Sequence, residues 1–577
     1  MKCTTRHGIL ATLALTGLIL PLTFAESASA VHRKQPPASA PATPPAQTYS
    51  LDGTGNNQSN PQWGAAGAAM IRKATAAYAD GISSPAGTTR PSARAISNLL
   101  SAQDDSVVNN RHLSDFIYVW GQFLDHDINL TSVGSEAFSI AVPSGDASFD
   151  PDGTGTVMMR FARSLTASGT GTSQSNPREQ MDGVSAYIDG SMVYGSDSTR
   201  AAALRTFTNG ELRTSDGNMM PYNTTGLPNA NDAHLLADNQ LFLGGDIRAN
   251  ENPDLIAIQT LFVREHNRIA RATKQANPTW PDEKIFQTAR GQVIAEIQAI
   301  TYNEYLPALL GRDALAPYRG YQAKTNPAIT NEFATAAFRF GHSVLDSEIA
   351  RLNDDGSEVS SGSLTLRESF FNAAVFDPTL PNHEGDIDPF LKSAASGNAQ
   401  EVDLLLIDDI RNFLFGAPGQ GGFDLAALNI QRGRDHGLAD YNTTRAAYGL
   451  PRVRTFSDIT TDRTTQAKLK TLYGSVDNID LWIGGLAEDH VRESSVGPLF
   501  QRIIVDQFMR LRSGDRNWYE TTFTGRELGQ LRSTRLSDVL RRNTSLRTLQ
   551  HNVFVWNESV EKTNQLQGPS AAKPRRP

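Results

Sequence analysis

A single large, mainly α-helical domain with very little β-structure, spanning residues 50–567, is what this 577-residue chain predicts. Three observations carry that reading. Apolar residues recur at helical spacing over several long stretches, while strand-like alternation is scarce and brief. Between a Pro-rich lead-in and a short Gly/Pro-containing tail, no linker or internal repeat divides the chain.

The elements follow in order. Residues 1–30 read as a secretory signal peptide: Lys2 and Arg6 form a basic start, residues 9–22 are apolar, and small residues follow at Ala25 and Ser27 to Ala30. The apolar run is short for a membrane span and contains Pro21, which favours cleavage over anchoring. Residues 31–49, with Pro36-Pro37 and Pro44-Pro45, are too poor in apolar groups to fold and are expected to be disordered, as are residues 568–577. An apolar helix carries Phe116, Ile117, Trp120, Phe123 and Leu124. Residues 253–275 place Leu255, Ile258, Leu261, Phe262, Ile269 and Ala270 at helical spacing, and Pro253 suits a first turn. Residues 281–310 repeat the pattern as one helix, and 331–345 and 496–511 give two more.

Composition is that of a soluble globular protein, 39% hydrophobic and 20% charged. A net charge of -8 without a basic cluster argues against nucleic acid as a partner. No apolar run beyond the signal approaches ~18 residues, so no membrane span is expected after processing. The one cysteine, Cys3, lies in the signal, so the mature chain is expected to form no disulfide although export would permit one.

Five clusters bear chemistry. Residues 120–127, Trp-Gly-Gln-Phe-Leu-Asp-His-Asp, put an amide, two carboxylates and an imidazole into two turns of an apolar helix. Gln122 and His126 are four apart and share a face, with Asp125 and Asp127 to either side. Burying such groups costs ~1–3 kcal/mol each unless partners satisfy them, so the helix faces a cofactor or metal, or is a satisfied polar patch. Zinc would need further His or Cys ligands that the neighbourhood lacks. Residues 185–191 alternate oxygen donors at Ser185, Asp189 and Ser191 with main-chain carbonyls between them, as a hard cation such as Ca²⁺ requires. Asp127 is a natural further donor, and an ordinary polar turn is the alternative. Arg248 and Glu251 lie three apart before the long helix, either as a surface ion pair or with a guanidinium set to stabilise negative charge on a substrate oxygen. His342, in Phe-Arg-Phe-Gly-His, is a core histidine or a haem ligand. Asn429, followed by Arg432 and Arg434, offers an acceptor for the other ring nitrogen and cations for propionates.

Together and in this order these clusters resemble the animal-type haem peroxidases, the peroxidase–cyclooxygenase superfamily. The likeness extends to Asp52-Gly-Thr-Gly-Asn-Asn57, Ala79-Asp-Gly-Ile82, Arg264-Glu-His-Asn267 and Asp515-Arg-Asn-Trp-Tyr519, nearly the whole mature chain. The resemblance implies a secreted or periplasmic enzyme with haem b and Ca²⁺. Such an enzyme reduces H₂O₂ through a ferryl intermediate and oxidises halides, thiocyanate or phenolic donors. It implies His126 as distal histidine, Gln122 as distal glutamine, Arg248 as distal arginine, His342 as proximal iron ligand and Asn429 as its hydrogen-bond acceptor. Arg339 and Arg432 would bind propionates, and Asp125 and Glu251 would form esters to the haem. Asp127, Ser185, the Tyr187 carbonyl, Asp189 and Ser191 would hold calcium. Two departures stand out: Asn252 replaces the methionine that makes a third haem link in myeloperoxidase, and the disulfides of animal members are missing. A bacterial-type relative is the expectation. The alternatives are a fatty-acid dioxygenase or cyclooxygenase of the same fold, and an extracellular adhesion protein built on the scaffold. The radical-forming tyrosine of the former would fall where Arg339 stands. Neither the electron donor nor the oligomeric state follows from the sequence.

Overall fold

In a computed structural model, the structure describes residues 48–381 and 383–556. The expected signal, most of the lead-in and the tail lie outside these residues. The lead-in is shorter than expected, because Tyr49 is already part of the fold. Its ring is buried, its hydroxyl donates to Asp515 Oδ2 at 2.5 Å, and Arg290 donates to its carbonyl at 2.9 Å.

Helices dominate, as predicted, and the only strands among the described residues form three two-stranded antiparallel pairs, such as Val133–Ala137 with Ala162–Ser164. Helix α1 (Phe116–Ile128) is almost wholly buried. Its Trp120 and Phe123 pack on Phe262 of α2 (Pro253–Ala276), the Phe123–Phe262 rings stacking at 5.1 Å. Helix α2 starts where the sequence places it: Pro253 opens the first turn and the Asn252 side chain caps it by accepting from Leu255 N at 2.8 Å.

Two helices differ from expectation. The stretch 281–310 is α3 (Asp282–Ile300), a π turn over Thr301–Tyr305, then a short helix Leu306–Leu310. Pro307 has no N–H for the preceding turn, and the chain widens there instead of breaking. The wide turn sets Thr301 Oγ1 to accept from Trp120 Nε1 at 3.2 Å. The stretch 331–345 is α4 (Asn331–Thr335), an irregular Ala336, and a 3₁₀ turn over Ala337–His342. Arg339 Nε takes the Ala334 carbonyl at 3.0 Å, an acceptor that a continuing α-helix would have given to Phe338 N. His342 therefore ends a tight 3₁₀ turn, which packs against α1. Helix α5 (Leu425–Asp435), capped by Asp424, carries Asn429 and Arg432, and α6 (Pro498–Gly514) covers the proximal turn.

Candidate active site

His126 lies on α1 and is 3% exposed. Its Nδ1 has no hydrogen-bond partner and stands 3.9 Å from Asp246 Oδ1, while Nε2 is 3.7 Å from Glu251 Oε2. Burial, reinforced by the Arg248 cation and opposed by Asp246, drives its pKa down to about 3. The ring is a neutral imidazole at physiological pH, free to accept a proton.

Arg248 does not pair with Glu251. Asp246 clamps it from two sides, Nε to Oδ1 at 2.8 Å and Nη2 to Oδ2 at 2.9 Å, and Nη2 also donates to the Asn129 carbonyl at 2.8 Å. The remaining nitrogen, Nη1, points towards Asp125 Oδ2 at 3.8 Å. Asp246 raises the arginine's pKa, so its charge is permanent. A chain of amides fixes Gln122: Asn252 Nδ2 donates to Gln122 Oε1 at 2.8 Å, and Gln122 Nε2 donates to Glu251 Oε2 at 2.7 Å. Burial lifts Glu251 to about 7 and raises Asp125 above its usual range.

These groups are deep yet accessible. The side chains of Asp125 and Glu251 keep 28% and 23% of their surface and Arg248 keeps 15%, although protein surrounds all three. On the proximal turn a Cβ on Gly341 would meet nothing within 4 Å, so open space lies there as well. Arg339 faces no carboxylate within ion-pair distance among the described residues. Burial and the nearby Arg432 and Arg248 charges, opposed by Asp125, lower its pKa to about 10. A part-buried guanidinium without an ion-pair partner suits the carboxylates of a haem.

His342 meets Asn429 as expected, but the amide is turned the other way. Asn429 Nδ2 donates to His342 Nδ1 at 2.7 Å, because Asn429 Oδ1 is taken by Arg339 Nη1 at 2.9 Å. Burial and Arg339 lower the His342 pKa to about 3, leaving it neutral and able to ligate. Arg432 is more committed than expected: its Nη1 serves Asp435 Oδ2 at 2.9 Å, Ser164 Oγ at 2.8 Å and the Ala162 carbonyl at 3.0 Å.

The loop over 185–191 does meet Asp127. Asp127 Oδ1 accepts from Ser191 N at 2.5 Å and Oδ2 from Gly190 N at 3.2 Å, while Ser191 Oγ donates to the Asp127 carbonyl at 2.7 Å. Ser185 Oγ accepts from Tyr187 N at 3.1 Å. Asp189 is fully buried and neither carboxylate oxygen has a hydrogen-bond partner. Burial and the neighbouring Asp127 push Asp189 well above its usual range, and burial lifts Asp127 to about 7. Two neighbouring buried carboxyls, one of them with both oxygens unmet, are a donor set for a hard cation.

Sequence reasoning missed three contributors: Asp246, Asn252 and Asn129. Asp246 stands two residues before Arg248 with no spacing that marks it as its clamp, and Asn252 registered only as a missing methionine. Nothing in the sequence ties the Asn129 carbonyl to Arg248.

Comparison with known proteins agrees. The animal haem peroxidase family model matches residues 48–554. Peroxinectin A of Dictyostelium discoideum is 39% identical over 516 residues, covering 88% of this chain and 95% of that one. Mouse thyroid peroxidase is 36% identical over 86% of this chain, which spans 59% of that protein. Drosophila peroxidasin is 35% identical over 85% of this chain, which spans 35% of it. The solved structure of peroxidase A from Dictyostelium discoideum superposes with a TM-score of 0.82 at 38% identity, covering 88% of this chain and 99% of that one. The fatty acid alpha-dioxygenase of Oryza sativa shares the fold, with a TM-score of 0.73 at 19% identity over 88% and 87% of the two chains. The chain therefore belongs to the animal haem peroxidase family and is a haem-dependent peroxidase.

Proposed function

We propose that the chain is an exported peroxidase that uses H₂O₂ to oxidise halides, thiocyanate or phenolic donors, with haem b and Ca²⁺ bound. The observation that carries this is His126: a buried neutral imidazole with an unpartnered nitrogen near a clamped Arg248. His342 would hold the iron, and Arg339, with Arg432 near it, would meet the propionates. A bound haem would supply the electrons for cleavage of the peroxide bond.

The residues do the proton work. His126 accepts the proton of the near peroxide oxygen and returns it to the far one. Arg248, unable to lose its charge, stabilises the negative charge that gathers there. Gln122 presents an N–H because Asn252 holds its carbonyl. A propionate paired with Arg339 would compete for the guanidinium that now holds Asn429 Oδ1, and Asn429 with its amide turned would accept from His342 Nδ1 and leave Nε2 a lone pair for iron.

Asp125 and Glu251 would form the ester links to the haem, and Asn252 would provide no third link. Asp127, Ser185, the Tyr187 carbonyl, Asp189 and Ser191 would hold calcium. The signal-like residues 1–30 support export, and among the described residues no helix is long and apolar enough to cross a membrane. The test is steady-state turnover of chloride, bromide, iodide, thiocyanate and a phenol with H₂O₂, beside mass spectrometry for haem-linked peptides. Absence of peroxide-dependent turnover for every donor would refute the reading.

A further inference from the structure

A cavity of about 640 Å³ opens at the start of α1, within the ~300–1,000 Å³ typical of small-molecule sites. Among the described residues its walls carry seven carboxylates, from Asp104 and Asp105 round to Asp408 and Asp409, against the single guanidinium of Arg367. Asp409 already pairs with that arginine at 2.8 Å. Ile349, Leu352 and the ring of Tyr118 add apolar surface.

The acid at the helix start, Asp115, is 8% exposed and its Oδ1 has no hydrogen-bond partner. Gly397 admits it, since a Cβ there would overlap Asp115 Oδ2. Burial and the carboxylates of Asp346 and Asp254 raise its pKa, as expected where no cation compensates. On the adjoining wall Gln103 Nε2 donates to Gln400 Oε1 at 2.5 Å, and Gln400 Nε2 donates to Asp346 Oδ1 at 2.9 Å. That chain leaves Gln103 Oε1 unpartnered too. Gln103 Oε1 is an acceptor and the surrounding wall is rich in carboxylates, so the partner that completes both is a donor that carries positive charge.

We infer that this cavity binds a small organic cation, an ammonium group carried on an aromatic body. A metal ion fits less well, because the space far exceeds an ion. The Tyr118 hydroxyl donates to Asp254 Oδ2 at 3.0 Å, and Gln122 and His126 follow it at one and two turns on the same face of α1. The bound cation thus sits at the end of the helix that carries the peroxide-handling residues. Its role as an electron donor rests on the peroxidase reading, whereas its binding does not.

The test is calorimetric titration of the holoenzyme with tyramine, tyrosol and 4-hydroxyphenylacetate, phenols that differ in charge by one step each. Tyramine is expected to bind at least about tenfold tighter than tyrosol, and the anion weakest. Asp115→Asn with Asp346→Asn is expected to abolish the preference. Asp104→Asn with Asp105→Asn, both exposed, is expected to reduce it with no risk to the core. Equal affinities for tyramine and tyrosol, a preference unchanged in both double variants, or stoichiometric displacement of tyramine by micromolar Ca²⁺ would each overturn the inference. Retained tyramine preference in an enzyme without peroxide turnover would instead count against the peroxidase reading alone.

Discussion

At the scale of single residues, His126 has the ring chemistry of a base and the surroundings of a hydrophobic core. Replacing it with Ala is expected to slow the reaction with peroxide by ~10²–10⁴-fold, read by stopped-flow absorbance of the haem band. Its pKa of about 3 makes that rate flat above about pH 5 and falling only towards pH 3. A limb centred near 6.5 would show that the ring is not held neutral. The same depression costs stability in acid. An unfolded histidine titrates near ~6.5, so below that pH the unfolded chain binds protons that the native one refuses, and the contribution is lost as pH falls from there to 3. Asn252 offers a finer test. Its amide holds Gln122 Oε1 and so aims Gln122 Nε2 at Glu251. Asn252→Ala is expected to weaken halide binding several-fold, in spectral titration of the ferric enzyme, with kcat for a phenol nearly unchanged. Because Asn252 also caps α2, the variant should lose about 1 kcal/mol of stability as well.

At the scale of elements, α1 and the loop over 185–191 are tied by the Asp127 contacts, and Asp189 is left unsatisfied between them. Burial holds Asp127 above the ~4 of an unfolded chain. The native state therefore takes up a proton at a higher pH than the unfolded chain does, and once both carboxyls ionise they repel. Calcium relieves that repulsion by replacing the proton, so its stabilisation grows with pH. The melting temperature is expected to rise with Ca²⁺ by several degrees at pH 8 and by much less at pH 5. An equal rise at both would remove the carboxyl pair from the explanation, and no rise at either would remove calcium. The proximal element teaches a different lesson. Apolar spacing over 331–345 is helical, but Arg339 takes a main-chain carbonyl and tightens the chain into a 3₁₀ turn. Periodicity does not register a side chain that competes for the backbone.

For the whole molecule, one hydrophobic core joins the helices from Tyr49 to Phe554. The N-terminal edge is pinned there, since Tyr49 is held by Asp515, Gln298 and Arg290. A chain starting at Thr48 is expected to melt like the longer one. A chain starting at Leu51 should lose ~2–4 kcal/mol, the cost of a buried aromatic and its hydrogen bonds, measured by denaturant unfolding. Equal stability of the two would place the fold boundary further in.

By itself the sequence determined the helical class, the five clusters and the residue types available for each task, because spacing along a helix maps directly onto its faces and because donor chemistry is intrinsic to a side chain. It could place Asp127 as a partner of the 185–191 loop from chemistry alone. Only the tertiary structure decided who pairs with whom: Arg248 with Asp246 rather than Glu251, Gln122 with Asn252, Asn429 with Arg339 as well as His342. It alone showed that Arg339 has no ion-pair partner among the described residues and shares Asn429 with His342. Pairing and desolvation depend on distances of a few ångströms between segments far apart in the chain, and such distances are properties of packing that no local pattern encodes.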